Sequence, residues 1–477
     1  MNINQLLKAL FYYEEEKKYP WLTLVILLFL LAIGIFFWGN FLDWRHTTFN
    51  FHDWGDINIP RIDAVQDGLR QFTFPLHLAN TSSLHGVTDR IWVLPDIIST
   101  PQMLLLYWFE TETYILFDVF FHFLLGALGL LLIRKEFKLS LFTYSVLLTL
   151  FSANGYIQAH YGVGHFSWGG YFLFPIFFAL MLRFSSGEVG WKWVTQVAFV
   201  LFYMVLAGSE HHFFWLLIWL GGFALGNLRR IKWIFYAGLF GGLLSAVRLL
   251  PPALGLGNFF EKFMSFGGFP TLLDILNAMT VLTPIRAETM NLLRIAAVWE
   301  YDLYIGFVGT AFILYFGLYQ WIRSKKYQDF IFPTFLVLFL TLGDIYRPFF
   351  DSQLPFLSGE RMITRMAILP IVVLMVMAAI QFQRWLDTRH LSLIEALVFF
   401  IPFLFLVNDL RQHYLAWNVR ELAKFFDPVI MNVIGNSLSD HQDTLYTNTL
   451  VTGLFISIAT ALFLLSRLWT ERKKAAE

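Results

Sequence analysis

The sequence predicts an all-α polytopic membrane protein with about twelve transmembrane helices, and three observations support this. Of its 477 residues, 57% are hydrophobic and only 14% are charged, whereas a soluble domain carries about a quarter charged residues. Phenylalanine alone fills 54 positions, and the mean hydropathy is +0.59. Apolar stretches of the length that spans a bilayer, about 17–25 residues, recur along the whole chain.

The charge balance and the absence of cysteine exclude several classes of function. The formal net charge is +0, so no overall positive field indicates a nucleic-acid partner. With no cysteine in the chain, disulfides, thiolate nucleophiles and Cys-ligated metals are all excluded. The loops must therefore hold their shape by packing.

The predicted spans follow one another with short connections. The first apolar run, 21–37, follows a charged segment and lacks a small-residue cleavage site, so we interpret it as a retained span and not as a signal peptide. The spans are predicted near 21–40, 113–133, 139–153, 168–183, 193–208, 212–228, 233–251, 303–322, 329–343, 366–383, 392–408 and 448–467. The segments near 139–153 and 329–343 are short.

The distribution of Lys and Arg predicts the orientation. Basic residues concentrate in the short connections and the tail, which places both termini in the cytoplasm. These basic segments are 134–138, 227–233, 323–326, 383–389 and the tail 468–477. The predicted organisation is an interfacial helix within 1–20 (near 4–18), a single transmembrane domain over 21–467, outward loops 41–112, 252–302, 344–365 and 409–447, and a cytoplasmic tail over 468–477. Amphipathic helices are predicted at 271–279 and 419–434.

The loop after the first span is rich in aspartate. Asp53 and Asp56 lie in the sequence HDWGD, about a dozen residues beyond the span. A carboxylate beside hydrocarbon is costly and usually functional, and a partly desolvated one can act as a general base. The alternative interpretation is an ordinary solvated polar loop.

Two further segments place polar residues at predicted outer boundaries. In HYGVGHF, His160 and His165 could bind a hydroxyl, a phosphate or a metal, although their spacing matches no common zinc motif. Hydrogen-bonded interfacial histidines are the alternative. In GSEHHF, Glu210, His211 and His212 could supply an acid and two metal ligands, or could end a helix at the headgroups.

Charged residues also stand in or beside later spans. Asp118 and His122 are spaced i,i+4 on one predicted span, so they share a helix face and can pair. Arg361 and Arg365 are also four residues apart, at the entrance to a span, where two guanidinium groups suit a phosphate. Lipid-headgroup anchoring is the alternative. Glu300, in WEYDLYIG, is a further candidate.

Taken in order, four segments resemble the GT-C superfamily of membrane glycosyltransferases, and most closely its YfhO-like bacterial branch. They are the acidic loop with HDWGD and FPLH, then GVGHFSWGGYFLFP, WEYDLYIGFVG and LPFLSGERMITR, and the similarity extends to about residue 390. The resemblance implies a GT-C-like fold in a bacterial inner or plasma membrane. It implies an outward-facing, inverting transferase that moves a sugar from a polyprenyl-phosphate carrier to a glycan, lipid or protein acceptor of the envelope.

The resemblance also implies roles for the candidate residues. Asp53 or Asp56 would be the general base. The resemblance does not decide between them, because two residues separate these acids here, whereas relatives have adjacent acids or acids one residue apart. The lipid phosphate would be met by Arg361 and Arg365. Other residues expected to line the substrate site are His160, His165, Glu210, His211 and Glu300. No cofactor is implied, and the sequence leaves undecided whether the site binds a divalent cation.

Two other functions fit the sequence. Twelve spans with both termini inside also suit a lipid or solute transporter, which would show alternating access and broken helices at the midplane. The second alternative is a non-catalytic GT-C-like subunit of a membrane complex, because a fold does not determine a function. A stoichiometric partner and no retained lipid-linked sugar would favour the subunit.

Overall fold

The computed structural model shows a bundle of α-helices. It describes residues 2–46, 49–255, 266–283, 298–352, 354, 357–389, 391–429 and 438–476. The model is 76% helical, and no β-strand forms in those ranges. The α-helices of at least seven residues are α1 (Ile3–Phe11), α2 (Pro20–Phe41), α3 (Ile59–Arg70), α4 (Thr111–Phe137), α5 (Leu141–Ser152), α6 (Gly155–Val163), α7 (Phe174–Ser185), α8 (Trp191–Leu206), α9 (Glu210–Gly226), α10 (Ile231–Leu244), α11 (Leu272–Thr280), α12 (Gly306–Phe312), α13 (Ile331–Leu340), α14 (Gly343–Asp351), α15 (Ile368–Asp387), α16 (Leu393–Trp417) and α17 (Thr444–Ala476).

The helices confirm an all-α integral membrane protein. Among the described residues, seven helical segments are long and apolar enough to cross a membrane, or eight if one pair bent by 62° forms a single span. These segments are Pro20–Phe41, Thr111–Phe137, Phe166–Ser185, Val298–Ser324, Ile363–Asp387, Leu393–Leu422 and Thr444–Lys473, and the bent pair is Leu228–Leu244 with Ala246–Leu254. Each predicted span falls on helical segments, but 233–251 is divided by the 62° bend at Ser245, and α5, α8, α9 and α13 have only 12, 16, 17 and 10 residues. The count of twelve therefore stays a prediction.

The spans differ in how deeply they lie within the bundle. Segments Ile363–Asp387 and Phe166–Ser185 are central, with 94% and 89% of their apolar windows buried, whereas Pro20–Phe41 has only 17% buried. Leu393–Leu422 and Thr444–Lys473 are peripheral in the same way. Their exposed apolar side chains suit a lipid environment, because hydrocarbon does not penalise them as water does.

The basic connections meet at one end of the bundle. Near the N-terminus the predicted interfacial helix forms as α1 and a short helix, Tyr13–Glu16. The buried carboxylate of Glu16 pairs with Arg134, and the Tyr12 hydroxyl donates to the Arg389 carbonyl at 2.8 Å. Further contacts at this end are Arg183 with Glu136, Arg230 with the Phe184 carbonyl, Ser185 with Asp329, and Trp191 with Glu471. Which side of the membrane this end faces stays a prediction.

One of the two predicted loop helices is confirmed and the other is corrected. Helix α11 forms as predicted, and Thr271 and Asp274 close its first turn with reciprocal hydrogen bonds. In the predicted helix 419–434, only Val419–Leu422 is helical, and residues 430–434 lie outside the described ranges. Pro428 disfavours a helical conformation at Asp427, so a helix cannot continue through this point; the proline instead pairs with Phe51 in an isolated β-bridge.

Candidate functional site

The acidic loop after α2 folds against the turn that follows α6. The buried Trp54 indole donates to the Gly162 carbonyl at 3.3 Å, and the Asn58 amide donates to the carbonyls of Gly164 and Asp53 at 2.5 and 2.8 Å. Gly164 has a φ of +99°, and a Cβ there would lie 2.4 Å from the Trp54 nitrogen. Only glycine permits both this backbone conformation and this close approach.

This docking places Asp53 beside two histidines. One carboxylate oxygen lies 3.2 Å from His165 Nε2, and the other lies 3.3 Å from His52 Nδ1. On the far side of the ring, His165 Nδ1 is 2.6 Å from His160 Nδ1. One of these two Nδ1 atoms must donate and the other accept. The result is a hydrogen-bonded chain from Asp53 through His165 to His160, with the Asp53 side chain 29% exposed at its open end.

The surroundings determine the charge states of Asp53 and His160, the two ends of this series of hydrogen bonds. Burial alone would raise the pKa of Asp53, but the hydrogen bond from His165 and the positive charges of His165, His52 and Arg365 lower it to about 2. Burial lowers the pKa of His160 well below its ordinary value, and the charges of His165 and Arg365 lower it further. At neutral pH, Asp53 is therefore an anion and His160 is neutral.

Trp168 lies at the centre of the cluster. The Arg365 guanidinium lies 4.9 Å from the centre of its ring, a distance suited to a cation–π contact. The His160 and His165 rings lie 4.9 and 5.0 Å from it. Arg365 also donates two hydrogen bonds to the two carboxylate oxygens of Glu300, and both side chains are buried. The charge of Arg365 is thus matched within the protein.

A second group of acids and histidines borders Trp168 on another side. The His211 ring lies 5.5 Å from the Trp168 ring. Its Nδ1 is 2.8 Å from a Glu360 carboxylate oxygen, and its Nε2 is 3.5 Å from a Glu210 oxygen. Each nitrogen of His211 therefore faces a carboxylate, an arrangement that suits the doubly protonated ring.

The structure separates the paired candidates of the sequence analysis. Asp56 is exposed, while Asp53 faces the histidines. Arg361 is only half-buried, whereas Arg365 is buried in its pair with Glu300. Burial and the neighbouring charge of Arg365 lower the pKa of Arg361, and the negative charges of Glu300 and Asp53 oppose this shift. Arg361 is thus the more accessible cation of the cluster.

Several residues of the cluster were not selected by the sequence analysis. Trp168, Glu360 and His52 lie next to, or within a few residues of, selected positions, so their place in the same motifs was an available signal. Arg61 pairs with Asp96 at 2.8 Å, and nothing in the local sequence indicated this contact.

Two further groups lie apart from the Asp53 cluster. The predicted pair within α4 is confirmed, because His122 Nδ1 lies 3.0 Å from an Asp118 carboxylate oxygen. In the described ranges, the residues that could together hold a metal ion are His77, Asp89 and His441. None of these was among the predicted site residues.

Neither models of known protein families nor curated proteins match this chain. The functional argument therefore rests on the residues and their geometry.

Proposed function

We propose that the protein is a GT-C-like membrane glycosyltransferase that moves a sugar from a polyprenyl-phosphate carrier to an envelope acceptor. The observation that supports this most directly is that the Asp53 carboxylate lies close enough to the Arg361 and Arg365 guanidinium groups for their charges to interact, with Arg365 seated over the Trp168 ring. A sugar phosphate needs cations at the phosphate and a base at the acceptor. In this proposal the chain spans a bacterial inner or plasma membrane about twelve times, with its termini cytoplasmic and the Asp53 cluster facing outward.

Asp53 is the residue proposed to receive the acceptor hydroxyl. Its carboxylate is ionised, partly exposed and held in place by His52 and His165, so it can accept a hydrogen bond from the hydroxyl. As the acceptor oxygen bonds to the sugar C1, its proton leaves toward Asp53. A carboxylate with a pKa of about 2 is a weak base, so Asp53 holds the proton only briefly and releases it to solvent through its exposed side.

Arg361 is the residue proposed to meet the lipid phosphate. The bond between the sugar C1 and the phosphate oxygen breaks on the face opposite to the attack, so the configuration inverts. The bond's electron pair leaves with the phosphate, and a nearby guanidinium stabilises the added charge. Because Arg365 is already paired with Glu300, its proposed role is to hold Trp168 and Glu300 in place. The other residues proposed to line the site are His160, Glu210 and His211.

The decisive experiment compares two aspartates of one motif. In Asp53→Asn, transfer from synthetic polyprenyl-phosphate hexoses to envelope acceptors should fall about 10²–10⁴-fold, the usual contribution of a general base. The matched variant Asp56→Asn removes an exposed carboxylate three residues away and should retain transfer. Both proteins should elute as folded chains in mild detergent. Full transfer by Asp53→Asn would refute the role of this aspartate.

Co-purifying lipid offers an independent measurement. Mass spectrometry of the wild-type protein should detect a polyprenyl phosphate or its sugar adduct, and Arg361→Gln should lose it. If only bulk phospholipid co-purifies and the protein is inert toward the whole panel of donors, the transferase proposal fails.

A non-catalytic subunit of a membrane complex is the second candidate. The pairs Arg365–Glu300 and Arg61–Asp96 satisfy their charges within the protein, and a purely structural role would also explain them. A stoichiometric membrane partner, together with no lipid-linked sugar, would favour this candidate over the enzyme.

A further inference from the structure

Two histidines and an aspartate converge at a place that the proposed transfer reaction does not use. Asp89 Oδ2 lies 3.0 Å from His77 Nδ1 and 2.7 Å from His441 Nδ1. One ligand atom of each residue lies within 4.8 Å of the other two. His77 and Asp89 belong to the loop after α3, whereas His441 precedes α17 and is 352 positions from Asp89. The group therefore links two segments of the chain that are far apart in the sequence.

Backbone hydrogen bonds set these ligands in place. The Leu78 amide donates to the Asp89 carbonyl at 2.7 Å, and the Ser439 amide donates to the His77 carbonyl at 3.0 Å. Consequently, the segments that carry the three side chains are aligned by main-chain contacts. Such support is what keeps a ligand set in a fixed geometry.

The local charge favours a cation. Asp443 accepts a hydrogen bond from Arg90 at 2.6 Å, so the one nearby guanidinium in the described ranges is matched by Asp443. In the described ranges, the side-chain partners of the Asp89 carboxylate are the two imidazole rings. These rings are neutral ligands when they bind a metal, so the site offers one net negative charge to a divalent ion.

The donor set and its dimensions suit zinc. Two imidazole nitrogens and a carboxylate oxygen are a common zinc ligand set, and the fourth tetrahedral position is left for water. Tetrahedral ligands about 2.0 Å from zinc are roughly 3.3 Å apart. The two distances from Asp89 Oδ2, 3.0 and 2.7 Å, require a small opening, and the two imidazole nitrogens, which lie within 4.8 Å of each other, must adopt the same separation of roughly 3.3 Å. His441 is 52% exposed and can make that movement, whereas His77, at 1%, is fixed.

The unpaired nitrogen of His77 is a further observation. His77 Nε2 is buried and has no hydrogen-bond partner in the described part of the chain. Burying a polar nitrogen without a partner costs free energy. The ring is therefore held in place through Nδ1, the nitrogen that faces Asp89.

We infer that His77, Asp89 and His441 form a zinc site that fastens the segment before α17 to the loop after α3. The chain contains no cysteine, so this link takes the place that a disulfide has in other proteins. The inference is independent of the proposed transferase activity, because none of the three residues belongs to the Asp53 cluster.

The test is zinc binding by the full chain, purified in mild detergent through an affinity tag free of histidine. After chelator treatment, titration calorimetry and elemental analysis should find one more tightly bound zinc per wild-type chain than per His441→Gln chain. The affinity should fall more than about 100-fold, since even residues that only orient a ligand are worth 10–100-fold. His441 is exposed, so its replacement does not disturb packing. His46→Gln removes another exposed histidine and is the matched control.

Thermal unfolding gives the second measurement. Zinc should raise the unfolding midpoint of the wild type and of His46→Gln, and it should leave Asp89→Asn and His441→Gln unchanged. Equal zinc stoichiometry and affinity in the wild type and His441→Gln would overturn the inference. So would a wild-type chain that binds no zinc, because the three side chains would then form only a hydrogen-bonded group.

Discussion

Breaking the ion pair between Arg365 and Glu300 should destabilise the protein strongly. The side chains are only 9% and 8% exposed, and the guanidinium donates to both carboxylate oxygens. Removing one partner leaves the other charge buried and unpaired, which costs about 3–5 kcal/mol. We therefore expect Arg365→Gln and Glu300→Gln each to lose this much unfolding free energy. The double variant Glu300→Gln with Arg365→Met should lose less than the sum, by up to about 3 kcal/mol.

The assay is unfolding in mixtures of mild and denaturing detergent, followed by the fluorescence of the chain's 17 tryptophans. Arg361→Gln is the matched control, because Arg361 is on the same segment but only half-buried. It should cost less than about 1 kcal/mol, in the range of an exposed ion pair. Arg365→Gln behaving like Arg361→Gln, or additive effects in the double variant, would refute the reasoning that Arg365 is a positioning residue.

Three other expectations concern the acidic loop and its neighbours. The folded-state pKa of Asp53, about 2, is below the unfolded value of about 3.9, so its ionisation contributes about 2.6 kcal/mol at neutral pH, and this is lost as the pH falls from about 5 to about 1. The unfolding free energies of wild type and Asp53→Asn should converge over that range. Gly164→Ala should lower the unfolding midpoint and abolish lipid co-purification, because its Cβ would meet the Trp54 amide at 2.4 Å; an unchanged midpoint would contradict this close approach. Leu78→Cys with Leu438→Cys should form a disulfide under mild oxidation, seen as a mobility shift that reductant reverses, because the two residues face each other in a β-bridge; either single variant should show no shift.

The helical architecture was predictable because its signal is local. Apolar runs of spanning length identify helices without knowledge of their neighbours, and each predicted span falls on helical segments, although 233–251 contains a 62° bend. The i,i+4 pair of Asp118 and His122 was predictable for the same reason, since it depends only on helix geometry. The prediction of a continuous helix over 419–434 was wrong, and apolar periodicity does not register Pro428, which disfavours a helical conformation at Asp427.

The composition of the site was less predictable, because it depends on contacts between distant segments. Asp53 and Asp56 have nearly the same sequence surroundings, and only docking against Gly164 turns Asp53 toward the histidines. The contact between Asp89 and His441 spans 352 positions. Neither residue belongs to a motif with metal-ligand spacing, and the periodicity of a sequence does not indicate which loops contact each other.

The Asp53 cluster and the proposed zinc site lie on different parts of the bundle, so different interactions hold their residues in place. The Asp53 cluster takes Trp168 and Arg365 from the two most deeply buried spans, Phe166–Ser185 and Ile363–Asp387. Tight packing there fixes the geometry of side chains that have to act together. Helix α17, in contrast, is peripheral, and few of its apolar side chains pack inside the bundle. A metal link beside its first residue supplies the restraint that packing does not. Loss of zinc should therefore loosen α17 while leaving the Asp53 cluster intact.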